Sequence, residues 1–372
     1  MQRGTDLLVI GGGSIGLAVA REAARSGLSV HLLERNAPGG EATGASAGIL
    51  AAQMDAHEAG PLTTLGLESR ALWPEFLREL NEDSGLDVDL RTDGALVAAL
   101  DDEEREEVDR AYHFQSGSGL TIERLDGAGL HAAEPALSRK VLGGLLLPHE
   151  WSLDPARLAR SLVLAAGRSG VTIQSGEEAA CLLVEGSRAI GVVTSSGEHR
   201  AAGAIVVAAG AWSGFIQGDG MTPPPSEPVR GQIVCFQAPD LIRRVLSGGG
   251  FYLVPRTDGR IVAGSTMERA GFDRSVTGAG LEEILKAARR LVPGLAEAAV
   301  RSTWAGLRPG APDGLPVIGA GPLAGLYYAS GHLRSGILLT PITARVVTRL
   351  VTGGDPGVDL AAFDPLRFQE GG

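Results

Sequence analysis

The chain has 372 residues, 44% hydrophobic and 21% charged, with a formal net charge of -11. That length exceeds one ordinary core, so two domains are expected. The acidic balance argues against nucleic acid as a partner. No apolar stretch reaches the ~20 residues that a membrane-spanning helix needs, and the first residues carry no cleavable apolar segment; the expected location is the cytoplasm, with no membrane partner.

Residues 6–35, DLLVIGGGSIGLAVAREAARSGLSVHLLER, read as strand, glycine turn, Ala-rich helix and second strand. The turn Gly11-Gly12-Gly13-Ser14-Ile15-Gly16 is a G-x-G-x-x-G, the layout of a dinucleotide site. Gly11 permits the tight turn, Gly13 lets backbone approach a pyrophosphate, and Gly16 lets helix and strand pack closely. Ser14 and Ile15 open the helix, whose N-terminus offers unpaired N–H groups to phosphates. Glu34, with Arg35 after it, ends the second strand 23 residues beyond Gly11. Its carboxylate is placed for ribose hydroxyls. Residues 37–50, APGGEATGASAGIL, are too apolar for disorder and too Gly-rich for a helix; Ala42, Thr43, Ser46, Ala47, Gly48 and Ile49 are candidates to wrap the cofactor.

Residues 62–84 have helical spacing of Leu67, Leu72, Trp73, Phe76 and Leu77. Strands are predicted at Val88–Leu90 and Ala95–Leu100, and an acidic helix over 102–116. A strand at Leu145–Leu147 precedes Asp154-Pro155, a helix-opening pair. Strand Val171–Ile173 and a hairpin at 179–194 follow. AIVVAAGAWSG, residues 204–214, reads as a buried parallel strand whose end, Ala209, Gly210 and Trp212, can meet the cofactor. Strands at 229–236, 251–254 and 260–264 and a helix at 280–291 form a second unit. The last turn, 330–336, leads into a helix predicted to begin at Ser335. The domains interleave: a dinucleotide-binding domain at 1–85, 145–215 and 306–352, a substrate domain at 86–144 and 216–305, and a tail at 353–372. Cys181 and Cys235 have no metal or redox spacing; both are expected to be buried thiols.

The start DLLVIGGGSIG, the EATGASAGIL loop, VVAAGAWSG, YLVPR, WAGLRPG-PDG-P-IG and SGHLRSGILLTP together resemble the flavoprotein oxidase family that contains D-amino-acid oxidase, sarcosine oxidase and glycine oxidase, most of all its thiamine-pathway glycine oxidase branch. The resemblance spans nearly the whole chain. It implies a Rossmann-type FAD-binding domain interleaved with a domain built on an antiparallel sheet. It also implies oxidation of a small amine to an imine, O2 as acceptor, hydrogen peroxide as product, a homotetramer, and a thiazole synthase as pathway partner. Sarcosine oxidase attaches its flavin through a Cys near the segment matching Leu307-Arg308-Pro309; this chain has none there, so FAD is expected to be noncovalent.

Such an oxidase needs a fixed cation for the substrate carboxylate, and the planar fork of Arg suits it. Arg308, read as lying in a Gly-rich turn, matches the carboxylate position, and Arg334 matches a second arginine near flavin and substrate. Tyr252 is a candidate hydrogen-bond donor to the same carboxylate, and Met267 a candidate pocket residue. The stretch His332, Leu333, Arg334, Ser335, Gly336, Ile337 and Leu338 is expected at the flavin edge, where a helix N-terminus stabilises negative charge. No side chain stands out as an obligatory base; His332 is the nearest, with its backbone the expected contributor. Rival readings are a D-amino-acid oxidase or dehydrogenase of other preference, a flavin-binding protein without turnover, and an NAD-dependent dehydrogenase.

Overall fold

The run Leu7–Ile10 is buried on both faces, as a central parallel strand requires. In the computed structural model, which describes residues 4–56 and 58–369, this strand, β1 (Thr5–Ile10), lies between β2 (Val30–Glu34) and the strand His199–Val207, parallel to both. The sheet continues through Thr172–Ser175 on one side and Leu326–Ser330 and Val317–Ala320 on the other; the hairpin Ala179–Glu185/Arg188–Thr194 adds to it. The helix α1 (Ser14–Arg25) packs against the helices Pro155–Arg168 and Thr340–Val351, and Pro61–Ser84 covers those two. Asp154 caps Pro155–Arg168 by accepting from the Ala156 amide at 2.9 Å, as Asp before Pro at N1 predicts.

The second sheet has eight strands in the order Ala299–Gly310, Glu227–Gln237, Arg260–Gly264, Phe251–Pro255, Val245–Gly248, Ala95–Ala99, Gly143–Leu147 and Glu123–Asp126. Side chains alternate along each strand. One set, with Leu96, Val234, Leu246, Leu253 and Ala263, forms a core with Ile284, Ala288 and Leu291 of the helix Gly278–Leu291. The alternate set turns toward the dinucleotide unit: Tyr252, Ile233, Val254 and Trp304 cluster with Ala47 and Ile49. The period-two alternation thus separates a stabilising face from a site-forming face.

Several expectations need correction. Val88–Leu90 forms no strand. The strand Gly143–Leu147 pairs with Ala95–Ala99 and Glu123–Asp126 in the second sheet, although the dinucleotide piece was predicted to start at 145. The strand Ala299–Gly310 runs past the predicted boundary at 306, so Arg308 sits in a strand and not in a turn. The second sheet is mixed, since Val245–Gly248 runs parallel to Ala95–Ala99. Residues 42–45 form one helical turn inside the loop expected to lack helix. Cys181 is only half-buried. The predicted tail is docked: Phe363 is buried in the main core, and Arg367 pairs with Asp313 at 2.7 Å. Its last three residues lie outside the described residues.

Candidate active site

A cavity of about 650 Å³ runs from the Gly11 turn, past the 42–49 loop, to the site-forming face of the second sheet. Its dinucleotide end is made of backbone. Gly11 has φ +108°, and a Cβ there would collide with the Ala208 carbonyl. Gly16 does not line the cavity; a Cβ on it would strike the Gly11 carbonyl oxygen, so its part is packing. A Cβ on Gly13 would meet only Thr43 Oγ1, at 3.4 Å, leaving the space above the turn open. Thr43 Oγ1 accepts from the Ser14 amide at 2.9 Å, tying the loop to the helix start. Glu34 accepts from the Gly12 amide at 2.7 Å and from the Asn36 amide at 2.8 Å, one donor on each oxygen.

Among the described residues, the amides of Gly13 and Ile15 in the glycine turn, and of Gly336, Ile337 and Leu338 before the final helix, donate to no protein acceptor. Five such amides on one cavity wall need a ligand's acceptors or water. The final helix begins at Thr340, not Ser335; residues 336–339 are a turn in front of it, closed by the Leu339 amide donating to Ser335 O at 2.8 Å. Two residues invisible to motif reading hold that turn: Ser69 Oγ and Trp73 Nε1 both donate to Leu338 O, at 2.6 and 2.9 Å. Leu333 has φ +46°, a left-handed conformation unfavourable for a branched side chain; its amide is anchored on Pro309 O at 2.7 Å.

The second sheet grips the cofactor loop. Trp304 Nε1 donates to Ala45 O at 3.0 Å and Arg256 Nη2 to Ala47 O at 2.6 Å, while Ser46 Oγ turns inward to Thr43 O at 2.8 Å. Ala42, Gly48 and Ile49 line the cavity, as do Ala209 and Gly210. The Arg35 guanidinium lies 3.5 Å from the Trp212 ring centroid, a cation–π pair on the cavity lining.

At the opposite end stand Tyr252 and Arg308, each lying over a glycine of the neighbouring strand. A Cβ at Gly264 would be 2.8 Å from Tyr252 Oη, and one at Gly231 would collide with the Arg308 guanidinium. Arg308 donates to Thr266 O at 3.2 Å and to Ser265 Oγ. No carboxylate pairs with it among the described residues. Burial pulls its pKa below the ordinary guanidinium value; the Tyr252 phenol opposes this, and the like charge of Arg334 adds to it. Arg remains a cation under such a shift. Arg334 lines the same cavity and bridges Asp55 at 3.2 Å, both side chains about half exposed. Met267 is largely exposed; its Sδ touches Arg308 Nη1 at 3.3 Å. His332 is buried, with Nε2 3.1 Å from Thr343 Oγ1 and its carbonyl taken by the Ser335 amide. Burial lowers its pKa to about 3, so it is a neutral structural group.

The parallel sheet, glycine turn and unsatisfied amides define a dinucleotide-binding protein, and Arg308 and Tyr252 line the cavity on its second sheet. A family described as DAO, FAD dependent oxidoreductase, matches residues 6–350. The glycine oxidase of Geobacillus kaustophilus (strain HTA426) is 34% identical over 97% of each chain, and the crystal structure of glycine oxidase from that species superposes with a TM-score of 0.94 at 33% identity over all of both chains. The bifunctional protein ThiO/ThiG of Trichormus variabilis is also 34% identical; 98% of this chain matches 55% of that protein. The chain belongs to the DAO family of FAD-dependent oxidoreductases, and FAD is its cofactor.

Proposed function

We propose that this protein is a glycine oxidase: glycine, water and O2 are converted to glyoxylate, ammonia and hydrogen peroxide. The observation that carries the reading is Arg308, a cation without a carboxylate partner, held beside Tyr252 at the cavity end facing the free amides of Gly336, Ile337 and Leu338. The likeness to the Geobacillus kaustophilus glycine oxidase supports the substrate. The match to part of a ThiO/ThiG protein supports a role in supplying thiamine thiazole synthesis, with a thiazole synthase as pathway partner.

In this reading Gly13, Ser14 and Ile15 hold the pyrophosphate, Glu34 the ribose, and Gly336–Leu338 the polar edge of the flavin. Bound FAD supplies the two-electron acceptor. Arg308 fixes the substrate carboxylate by a forked pair of charge-assisted hydrogen bonds, Tyr252 adds a third, and Arg334 contributes a second positive charge. Holding the carboxylate fixes the α C–H, so orientation is the protein's main contribution. His332 is not positioned to take a proton: its ring faces Thr343. An amine that arrives neutral needs no side-chain base. Neither cysteine lines the cavity, which supports noncovalent FAD. Cytoplasmic location and a homotetramer complete the proposal, the latter checked by sedimentation.

The test is anaerobic mixing of the yellow holoprotein with glycine. Bleaching of the flavin band, then recovery with stoichiometric peroxide on admitting air, is the expected result. Bleaching by D-alanine or D-proline but not glycine refutes the substrate. Bleaching by glycine without peroxide refutes the oxidase assignment in favour of a dehydrogenase.

A further inference from the structure

Glu150 is a fully buried carboxylate that the proposed reaction does not use. It sits in the turn between Gly143–Leu147 of the second sheet and Trp151–Ser152, and Trp151 pairs with Leu50. That pairing delivers Glu150 to the segment following Leu50. Its Oε1 accepts from the Ala52 and Gln53 amides, both at 3.1 Å, and from Arg70 Nη1 at 3.0 Å; its Oε2 accepts from the Met54 amide at 3.3 Å. Arg70 Nη1 also reaches Gln53 Oε1 at 2.6 Å, and Gln115 Nε2 donates to the carbonyls of Gln53 and Ala56, each at 2.9 Å.

This cluster fixes a segment that lines the cavity through Gln53, Met54 and Asp55. Asp55 in turn is the carboxylate that pairs with Arg334. Removing a charge from water is costly, yet three consecutive amides here converge on one carboxylate. That convergence holds the backbone of residues 52–54 immediately before Asp55, whose carboxylate bridges Arg334.

We propose that Glu150 is a positioning residue for carboxylate recognition: its ionised form locks residues 52–54, which sets Asp55 against Arg334 and keeps that guanidinium facing the cavity. The proposal rests on the reading of Arg308 and Arg334 as the carboxylate site. Burial pushes the Glu150 carboxyl up to about 7, against the opposing pull of Arg70 and the three amides. Arg70 is the charged group facing it; Gln53 and Gln115, the other side chains of the cluster, are neutral. Its chain neighbour His149 is exposed. Protonation ends the attraction to Arg70 and weakens the amide hydrogen bonds, releasing the segment.

The experiment titrates holoenzyme with acetate, a carboxylate with no oxidisable amine, and follows the flavin absorbance from pH 6 to 8.5. In the native protein the acetate Kd is expected to rise about 3- to 10-fold from pH 8 to pH 6, the range for coupling through a positioning network. Glu150→Gln raises the Kd and removes its pH dependence, while the limiting rate of anaerobic flavin reduction by glycine stays within about twofold. His149→Gln keeps the native pH dependence. Glu150→Gln that retains the native Kd and pH slope overturns the proposal, as does a variant whose limiting reduction rate falls as much as its affinity. Acetate that leaves the native flavin spectrum unchanged at every pH overturns the carboxylate-site reading and this proposal with it. Acetate that titrates as stated while glycine fails to bleach the flavin overturns only the activity.

Discussion

The two ends of the cavity are built from different material. At the dinucleotide end the contacts on offer are backbone amides of Gly13, Ile15, Gly336, Ile337 and Leu338, and the nearby side chains mostly hold backbone in place: Thr43 takes the Ser14 amide, while Ser69 and Trp73 hold Leu338 O. At the other end the contacts are side chains, Tyr252, Arg308 and Arg334, carried on a strand framework and one turn. A backbone site is specified by where a Cβ is forbidden; a side-chain site is specified by which functional group is present. Substitutions should therefore divide. Adding atoms damages the first end, and removing atoms damages the second.

The largest effect is expected at Arg308. In the proposed reading, Arg308→Ala leaves the substrate carboxylate partly buried without its main partner, and truncating one member of such a pair costs about 2–5 kcal/mol. The expectation is a fall in kcat/KM for glycine by that amount with the FAD content retained. Retained kcat/KM, or loss of FAD along with activity, would break the division between the two ends. The converse is Gly16→Ala. Its methyl strikes the Gly11 carbonyl, an overpacking cost of about 1–3 kcal/mol that moves the turn carrying Gly13. FAD affinity of the apoprotein, followed by flavin fluorescence, should weaken by roughly that energy, while any enzyme saturated with FAD keeps its KM for glycine.

The same division governs what was legible in the sequence. Gly11, Gly13 and Gly16 are local: turn, strand and helix occupy 30 consecutive residues, and sterics within that stretch dictate the spacing. Arg308 lines the cavity but sits in a strand, whereas the sequence reads as a turn there because Gly306, Pro309 and Gly310 read as breakers. They lie in an edge strand, where Pro309 is tolerated, and Gly306 is needed because Ala45 packs where its Cβ would be. Ser69 and Trp73 meet Leu338 across 269 and 265 residues, and Glu150 meets Ala52 across 98. No period or motif encodes such partners; they emerge only when both sheets are assembled. Gly231 and Gly264 were equally silent, since their purpose is to leave room for side chains on other strands.

Tyr252 offers a finer cut. Tyr252→Phe keeps the ring over Gly264 and deletes only the phenol. Loss of one hydrogen bond to a charged carboxylate is expected to cost about 1.5 kcal/mol, read as a rise in glycine KM and acetate Kd with FAD affinity unchanged. A fall in FAD affinity of similar size would show that the two ends are not separable at this strand.

The smallest effect is on stability, and it comes from two buried groups of opposite sign. Burial lowers His332 from 6.5 to about 3, so between those values the folded chain binds fewer protons than the unfolded one and stability falls as the pH drops. Burial raises Glu150 from 4.5 to about 7, so the folded chain binds more protons there and stability falls as the pH rises. From pH 4.5 to 6.5 the two slopes oppose, each worth at most one proton. The native Tm is expected to change little across that window. His332→Gln leaves the Glu150 slope exposed, giving a Tm that declines from pH 5 toward pH 7. Glu150→Gln leaves the His332 slope, giving a Tm that climbs over the same range. Thermal melts of the two variants at matched ionic strength read the signs directly. Slopes of the same sign in both would mean that one of these groups is not held in the charge state its burial dictates.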